Sequence, residues 1–190
     1  DSITSIGEGA FYHCDNLVSV IIPDSVISIG DSAFASCSNL ASITIPDSVT
    51  TIGDRAFSYC DNLVNVTIPV TSIGSYAFNN CTSLASITIP CSVTSIGNFA
   101  FEKCDSLSGV TVDSANTTYS NDEYGVLFNK DKTELIFYLG KSRTSYAIPD
   151  SVTSIGDWAF YGCTSLKSVA IPDSVTSIGN SAFYNFTSLK

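Results

Sequence analysis

The chain has 190 residues, 44% of them apolar and 14% charged, with a net charge of −10 and only 8 Lys and Arg. The length fits one domain, and so few basic side chains argue against nucleic acid and anionic membrane as partners, since both are held by clustered cations. No apolar run approaches the roughly 20 residues of a membrane span, and the chain opens on a polar repeat segment rather than a secretion signal.

Self-similarity organises everything else. Gly7, Gly30, Gly53, Gly74, Gly97, Gly156 and Gly179 recur in one local pattern at steps of 23, 23, 21, 23, 59 and 23 residues. One coil reads L-x-x-I-x-I-P-D-S-V-T-S-I-G-D-x-A-F-x-x-C-x-N/S. The 21-residue step comes from Ile68-Pro69-Val70-Thr71, which lacks the Asp-Ser of other coils. The 59-residue step is one coil of 23 and an irregular coil of 36. The pattern predicts a single solenoid of about eight coils over residues 1–190.

Within a coil, the L-x-x-I-x-I stretch (Leu40, Ile43, Ile45) ends in period-two alternation and predicts one short strand. Stacked strands form a parallel sheet at about 4.8 Å spacing. The six prolines, at 23, 46, 69, 90, 149 and 172, close it, because proline has no N–H for the ladder. The glycine column suits a turn with φ > 0. The next column (Asp31, Asp54, Ser75, Asn98, Asp157, Asn180) suits an N-cap, so a short helical turn is expected to follow. That turn carries Ala-Phe inward, stacking Phe11, Phe34, Phe57, Phe78, Phe101, Phe160 and Phe183 as an aromatic spine. The fold class is thus an α/β-type solenoid, a curved parallel sheet with short helical turns opposite.

Coil 113–148 lacks the Gly, Ala-Phe and Cys columns, and Tyr146, Ile148 and Pro149 then resume the pattern. Residues 126–128 and about 135–138 are rich in β-formers around the polar stretch 129–133. An antiparallel hairpin is expected there, lying where the helical turn would be, with Leu127 or Phe128 buried in place of the missing spine phenylalanine.

The unit I-P-D-S-V-T-S-I-G-D-x-A-F-x-x-C-x-x-L resembles the BspA-like leucine-rich repeats of bacterial and protozoan surface proteins. The likeness extends over essentially the whole chain. It includes Tyr119 and Tyr124–Ile136, which look like the family's longer irregular unit. The resemblance implies a surface or secreted location and adhesion to host proteins or to other cells. It brings no catalytic residue, and no motif fixes a ligand site.

Six cysteines (Cys14, Cys37, Cys60, Cys81, Cys104, Cys163) share a column that Phe186 fills in the last coil. They are expected to be buried reduced thiols, since a coil spacing near 4.8 Å exceeds the roughly 3.5–4.5 Å between disulfide Cβ atoms. Cys91 replaces the turn aspartate and is expected to be exposed. His13, the only histidine, leaves little room for acid–base or nucleophilic mechanisms and reads as a surface residue. Gly140-Lys141-Ser142 resembles the end of a P-loop, with Leu135 where its first glycine belongs. Asp113, Asn121, Asp122 and Glu123 lack calcium-loop spacing. The sequons at Asn65, Asn80, Asn116 and Asn185 would be glycan sites in a eukaryotic secreted protein and read as incidental in a bacterial one, since a chain so rich in Ser, Thr and Asn offers chance matches. No cofactor or metal is called for.

Two surfaces remain as candidate ligand sites. On the helical-turn edge, Tyr76, Phe99, Trp158 and Tyr161 place aromatics around the irregular coil, either as a recognition patch or partly covered by the insertion. The alternative is the smooth, nearly uncharged concave face of Ser19, Ser42, Thr44, Thr67, Ser86, Thr88, Thr111 and Ser168. Both ends fall in mid-coil without a polar cap, pointing to a piece of a longer array and to end-to-end association through uncapped ends. The expected function is a non-enzymatic adhesive module for a protein or glycan on a host or neighbouring cell. The alternative is a spacer that holds another domain away from the cell.

Overall fold

A computed structural model describes residues 3–139 and 143–187. The chain divides into two compact units, Asp1–Leu107 and Ser108–Lys190.

In the first unit each coil carries two short strands. The predicted ones are Ser19–Ile21, Ser42–Thr44 and Asn65–Thr67, paired in parallel with Ser19 beside Ser42 and Ser42 beside Asn65. The second set was not expected. Ser5–Ile6, Ser28–Ile29, Thr51–Ile52, Ser72–Ile73 and Ser95–Ile96, just before the glycine column, form their own five-stranded parallel sheet. Two residues are too few to display an alternation, so the S-I pair hid inside the V-T-S-I-G run. Its isoleucine points inward, and Ile29, Ile52 and Ile73 are buried.

The Ser and Thr of D-S-V-T have a structural use. Ser48 Oγ donates to the Val26 carbonyl at 2.7 Å and Ser92 Oγ to that of Val70 at 2.8 Å. Thr71 Oγ1 donates to the Thr50 carbonyl at 2.9 Å. Each coil therefore ties to its predecessor by side chains as well as by backbone.

No helix occurs among the described residues, which corrects the expected helical turns. Two residues per coil instead take left-handed backbone: Ser32 and Ser36, Arg55 and Tyr59, Tyr76 and Asn80. Their N–H groups then point at the next coil. Ser32 donates to Asp54 O at 2.8 Å, Phe34 to Ala56 O at 2.8 Å and Ser36 to Ser58 O at 2.8 Å. A helical turn would close its bonds within the coil and leave these inter-coil acceptors unmet. The predicted N-cap aspartates likewise serve the following coil. Asp31 Oδ1 accepts from Asp54 N at 2.8 Å, and Asp54 Oδ1 from Ser75 N at 2.7 Å.

The glycine column is corrected too, since none of its seven members has positive φ. The constraint is the approach of neighbouring coils. A Cβ on Gly74 would lie 2.5 Å from the carbonyl carbon of Gly53.

The spine forms as expected in this unit. Phe11–Phe34, Phe34–Phe57, Phe57–Phe78 and Phe78–Phe101 stack with centroids 4.9, 5.3, 5.3 and 5.8 Å apart.

In the second unit three strands meet in the irregular coil. Leu127–Asn129 pairs antiparallel with Glu134–Phe137, Leu127 lying beside Phe137 and Phe128 beside Leu135. A further strand, Tyr119–Asn121, pairs antiparallel on the other side. Glu134–Phe137 is also the bridge back to the regular coils. Glu134 and Leu135 pair in parallel with Ser154 and Ile155, which pair with Ser177 and Ile178. Leu135 thus stands in the S-I column, outside the place expected for the hairpin. The missing spine phenylalanine is replaced by Tyr138. Its N–H donates to Ala159 O at 2.8 Å, as Phe160 does to Ala182 O, and its ring stacks on Phe160 at 5.2 Å. Phe160 stacks in turn on Phe183 at 5.0 Å. Phe128 is buried in the same core beside Val126, Leu135 and Tyr146.

Candidate functional site

The aromatic candidates occupy a position whose geometry the sequence did not reveal. Tyr76, Phe99 and Trp158 all sit on the first left-handed residue of their coils, at φ of 58, 58 and 59°. In that column other coils hold Gly9, Ser32, Arg55 and Ser181, which share the conformation. The signal was present: glycine at 9 and 162 and asparagine at 80 and 185 are residue types suited to positive φ. The left-handed turn aims the backbone N–H along the stack, Tyr76 to Asn98 O at 2.9 Å and Trp158 to Asn180 O at 3.0 Å. The side chains are left half-buried on the outside of the turn.

Tyr76 and Phe99 lie in the first unit and Trp158 and Tyr161 in the second, each pair within its own aromatic cluster. In the first unit Tyr76 stacks on Phe99 at 5.0 Å, and the Arg55 guanidinium lies 4.9 Å from the centre of the Tyr76 ring. In the second unit Trp158 meets Tyr161 edge-on at 5.7 Å and Tyr184 at 5.9 Å, while Tyr161 and Tyr184 lie parallel at 5.8 Å. Tyr184, absent from the sequence-derived site, is 60% exposed. Its column already held Tyr161, which was the available clue.

The alternative face is formed as rows. Ser19, Ser42 and Asn65 lie in register, as do Ile21, Thr44 and Thr67, and Ser168 lies beside Ser145. Ser86, Thr88 and Thr111 are exposed as well. Ile21 interrupts the polar row at 93% exposure.

The remaining candidates have structural employment. Asp113 Oδ1 accepts from Ala115 N, and Asn121 Oδ1 from Val112 N, both at 2.8 Å. Asp122 accepts from Tyr124 N, Val126 N and the Tyr146 hydroxyl. These groups shape the insertion, and among the described residues no three His, Cys, Asp or Glu converge as metal donors. Asn116 is fully buried, its Oδ1 accepting from Thr118 N and Tyr119 N. Residues 140–142 lie outside the described residues. His13 is exposed, 3.9 Å from Asp15.

None of the seven cysteines is in a disulfide. Cys37, Cys60, Cys81 and Cys104 are buried and donate S–H to the carbonyls of Phe11, Phe34, Phe57 and Phe78 at 3.1, 3.2, 3.1 and 3.1 Å. Burial pushes the Cys37, Cys60 and Cys81 thiols up. Cys14 and Cys163 are only half-buried, which corrects the expectation that the whole column is sealed, and Cys91 is exposed.

Coils of two short parallel strands, closed by left-handed turns around a phenylalanine spine, define a leucine-rich-repeat β-solenoid. The chain belongs to the BspA type leucine rich repeat family, whose model matches in six copies over residues 4–125 and 133–190. Among solved structures, the pneumococcal vaccine antigen PcpA is similar, with 26% identity and a TM-score of 0.80 over 99% of this chain and 55% of that one. A leucine rich cell surface protein from Faecalibacterium prausnitzii A2-165 is 37% identical, with a TM-score of 0.74 over 99% of this chain and 57% of that one. A leucine-rich repeat protein from Eubacterium ventriosum ATCC 27560 is 32% identical, with a TM-score of 0.72 over 93% of this chain and 59% of that one. The chain therefore spans little more than half the length of these relatives. No curated protein matches it significantly. Among the described residues no helix is long and apolar enough to cross a membrane.

Proposed function

We propose that this chain is the recognition part of a surface or secreted protein, binding a protein or a glycan on a host or neighbouring cell without catalysing a reaction. The observation that carries this reading is the placing of Tyr76, Phe99 and Trp158 in left-handed backbone while their side chains stay only partly buried. A non-glycine residue there costs roughly 1–2 kcal/mol, and Gly9 and Ser181 show that a small residue closes the same turn. Large, partly buried rings held in a strained conformation suit a rigid contact surface. The names of the similar structures, a vaccine antigen and a cell surface protein, support the location. The lone histidine, exposed beside a single aspartate, supports the non-enzymatic part.

The test is a screen of the chain against host matrix proteins and a glycan array, followed by Trp158→Ala on any ligand found. The substitution should weaken binding by about 2 kcal/mol, roughly 30-fold, and leave the melting temperature nearly unchanged. Unchanged affinity would move the site to the Ser/Thr rows. The spacer reading is favoured by the uniform ladders of the first unit, and it predicts that the screen returns no ligand.

A further inference from the structure

Arg55, Tyr76 and Phe99 occupy one left-handed column on three successive coils of the first unit. Arg55 lies one coil before Tyr76 and Phe99 one coil after it, so both faces of the Tyr76 ring are covered, at 4.9 and 5.0 Å. The ladder therefore offers solvent its edges: ring hydrogens, the Tyr76 hydroxyl and the N–H fork of the guanidinium. An aromatic ring is electropositive at its edge, and a planar guanidinium grips a carboxylate through two parallel N–H bonds. Arg55 is exposed, and among the described residues no carboxylate stands within ion-pair distance of it. Its neighbour Asp54 turns its carboxylate to Ser75 N at 2.7 Å.

We propose that Arg55, Tyr76 and Phe99 form a subsite for a carboxylate-bearing sugar at the end of an otherwise neutral glycan. The inference rests on the recognition reading and places a second contact apart from Trp158. Charge selects the occupant. Arg55 and Lys103 are the only Arg or Lys before position 108, in a chain of net charge −10. Sulfated polymers and acidic protein faces are repelled by such a surface, whereas a single carboxylate meets the one guanidinium positioned for it. Size agrees, because three side chains fall far short of the ~800 Å² per partner that a stable protein interface buries. Ser75 and Asn98, next to the rings in sequence, add a hydroxyl and an amide of the kind that sugar hydroxyls use.

The experiment measures binding of the whole chain to oligosaccharides ending in a sialic or a uronic acid, each beside its methyl ester. The acid should bind at least tenfold more tightly than the ester. Arg55→Ala and Arg55→Lys should each lose tenfold or more, the lysine failing because it lacks the planar fork. Both variants should keep the parent melting temperature, since Arg55 is exposed, and Trp158→Ala should leave the acid–ester ratio unchanged. Equal binding of acid and ester, indifference to Arg55→Ala, or binding of proteins alone would overturn the subsite. A ligand lost only in Trp158→Ala would sink the subsite while leaving the recognition reading standing, and a chain that binds nothing in either screen would sink both.

Discussion

A β-carbon added to Gly53 would stand 2.6 Å from the backbone nitrogen of Asp31 in the preceding coil. Atoms so close must move, and here the obstacle is backbone already engaged in the inter-coil ladder. Gly53→Ala should therefore cost on the order of 3 kcal/mol, the upper end for overpacking, and lower the melting temperature by roughly 6–12 °C. Gly7 has nothing within 4 Å of the equivalent position and does not take positive φ. Gly7→Ala should be neutral or stabilise by about 0.4–1 kcal/mol, through the unfolded state. Thermal melts of the two variants decide the point. Equal losses would mean that the column is fixed by backbone conformation after all.

The thiols carry a pH dependence of known sign. Burial pushes Cys60 and Cys81 well above their ordinary value of 9.0. The folded chain keeps these protons at pH values where the unfolded chain releases them. Stability from this source is fully present below about pH 9. It falls as pH rises further, by up to about 1.4 kcal/mol per pH unit for each buried thiol. Cys60→Val should flatten that alkaline slope. In the native state a thiol reagent should label Cys91 first and Cys14 and Cys163 more slowly, and should reach the other four only on unfolding. Native labelling of Cys60 or Cys81 would contradict the sealed column.

Two tyrosines in the second core should respond in opposite directions. The Tyr138 hydroxyl is buried and has no hydrogen-bond partner among the described residues, and burial pushes its pKa up to about 12. Removing an unsatisfied hydroxyl relieves a desolvation penalty, so Tyr138→Phe should stabilise by roughly 1–2 kcal/mol. Tyr146 donates to Asp122 Oδ2 at 2.7 Å, and Tyr146→Phe should cost a similar amount. Urea denaturation followed by the fluorescence of Trp158, the only tryptophan, reads this unit directly. A destabilised Tyr138→Phe would show that the hydroxyl is satisfied by bound water.

The coil period and the spine were legible because Gly and Phe recur in columns that nothing else explains. The reasons behind the columns were less so. Glycine has two uses, positive φ and the absence of a Cβ, and sequence alone does not separate them; only the packing of Gly53 on Asp31 does. Asp31 was recognisable as an acceptor for backbone N–H, but whether the N–H lies in its own coil or the next depends on turn geometry. Tyr138 escaped notice because it departs from the phenylalanine pattern and follows an insertion that breaks the period. The aromatic candidates were visible as residue types. Their division between two clusters, and the inclusion of Arg55 and Tyr184, required neighbouring coils to be placed side by side.

The irregular coil belongs to the core of the second unit although it matches few repeat columns. Phe128 is fully buried, lies in register with Leu135, and shares a cluster with Val126, Tyr138, Tyr146 and Phe160. Phe137, on the same pair of strands, is only half-buried. The pairing register shifts between Leu127 and Phe128, and of the two phenylalanines on this hairpin Phe128 is the one sealed in the core. Phe128→Ala should remove about 3–5 kcal/mol, transfer and cavity costs together. Phe137→Ala should cost clearly less, since a half-exposed ring has less apolar surface to return to water. The turn gives a third reading. Asn129 Oδ1 accepts from Thr133 N at 2.8 Å and Glu134 N at 3.0 Å, so Asn129→Ala should cost about 1–2 kcal/mol by leaving those donors without a side-chain acceptor. All three are compared by urea denaturation with Trp158 as reporter. If Phe128→Ala and Phe137→Ala were equally mild, residues 126–138 would be an appendage on the stack, and the continuity of the solenoid through Leu135 and Tyr138 would have to be abandoned.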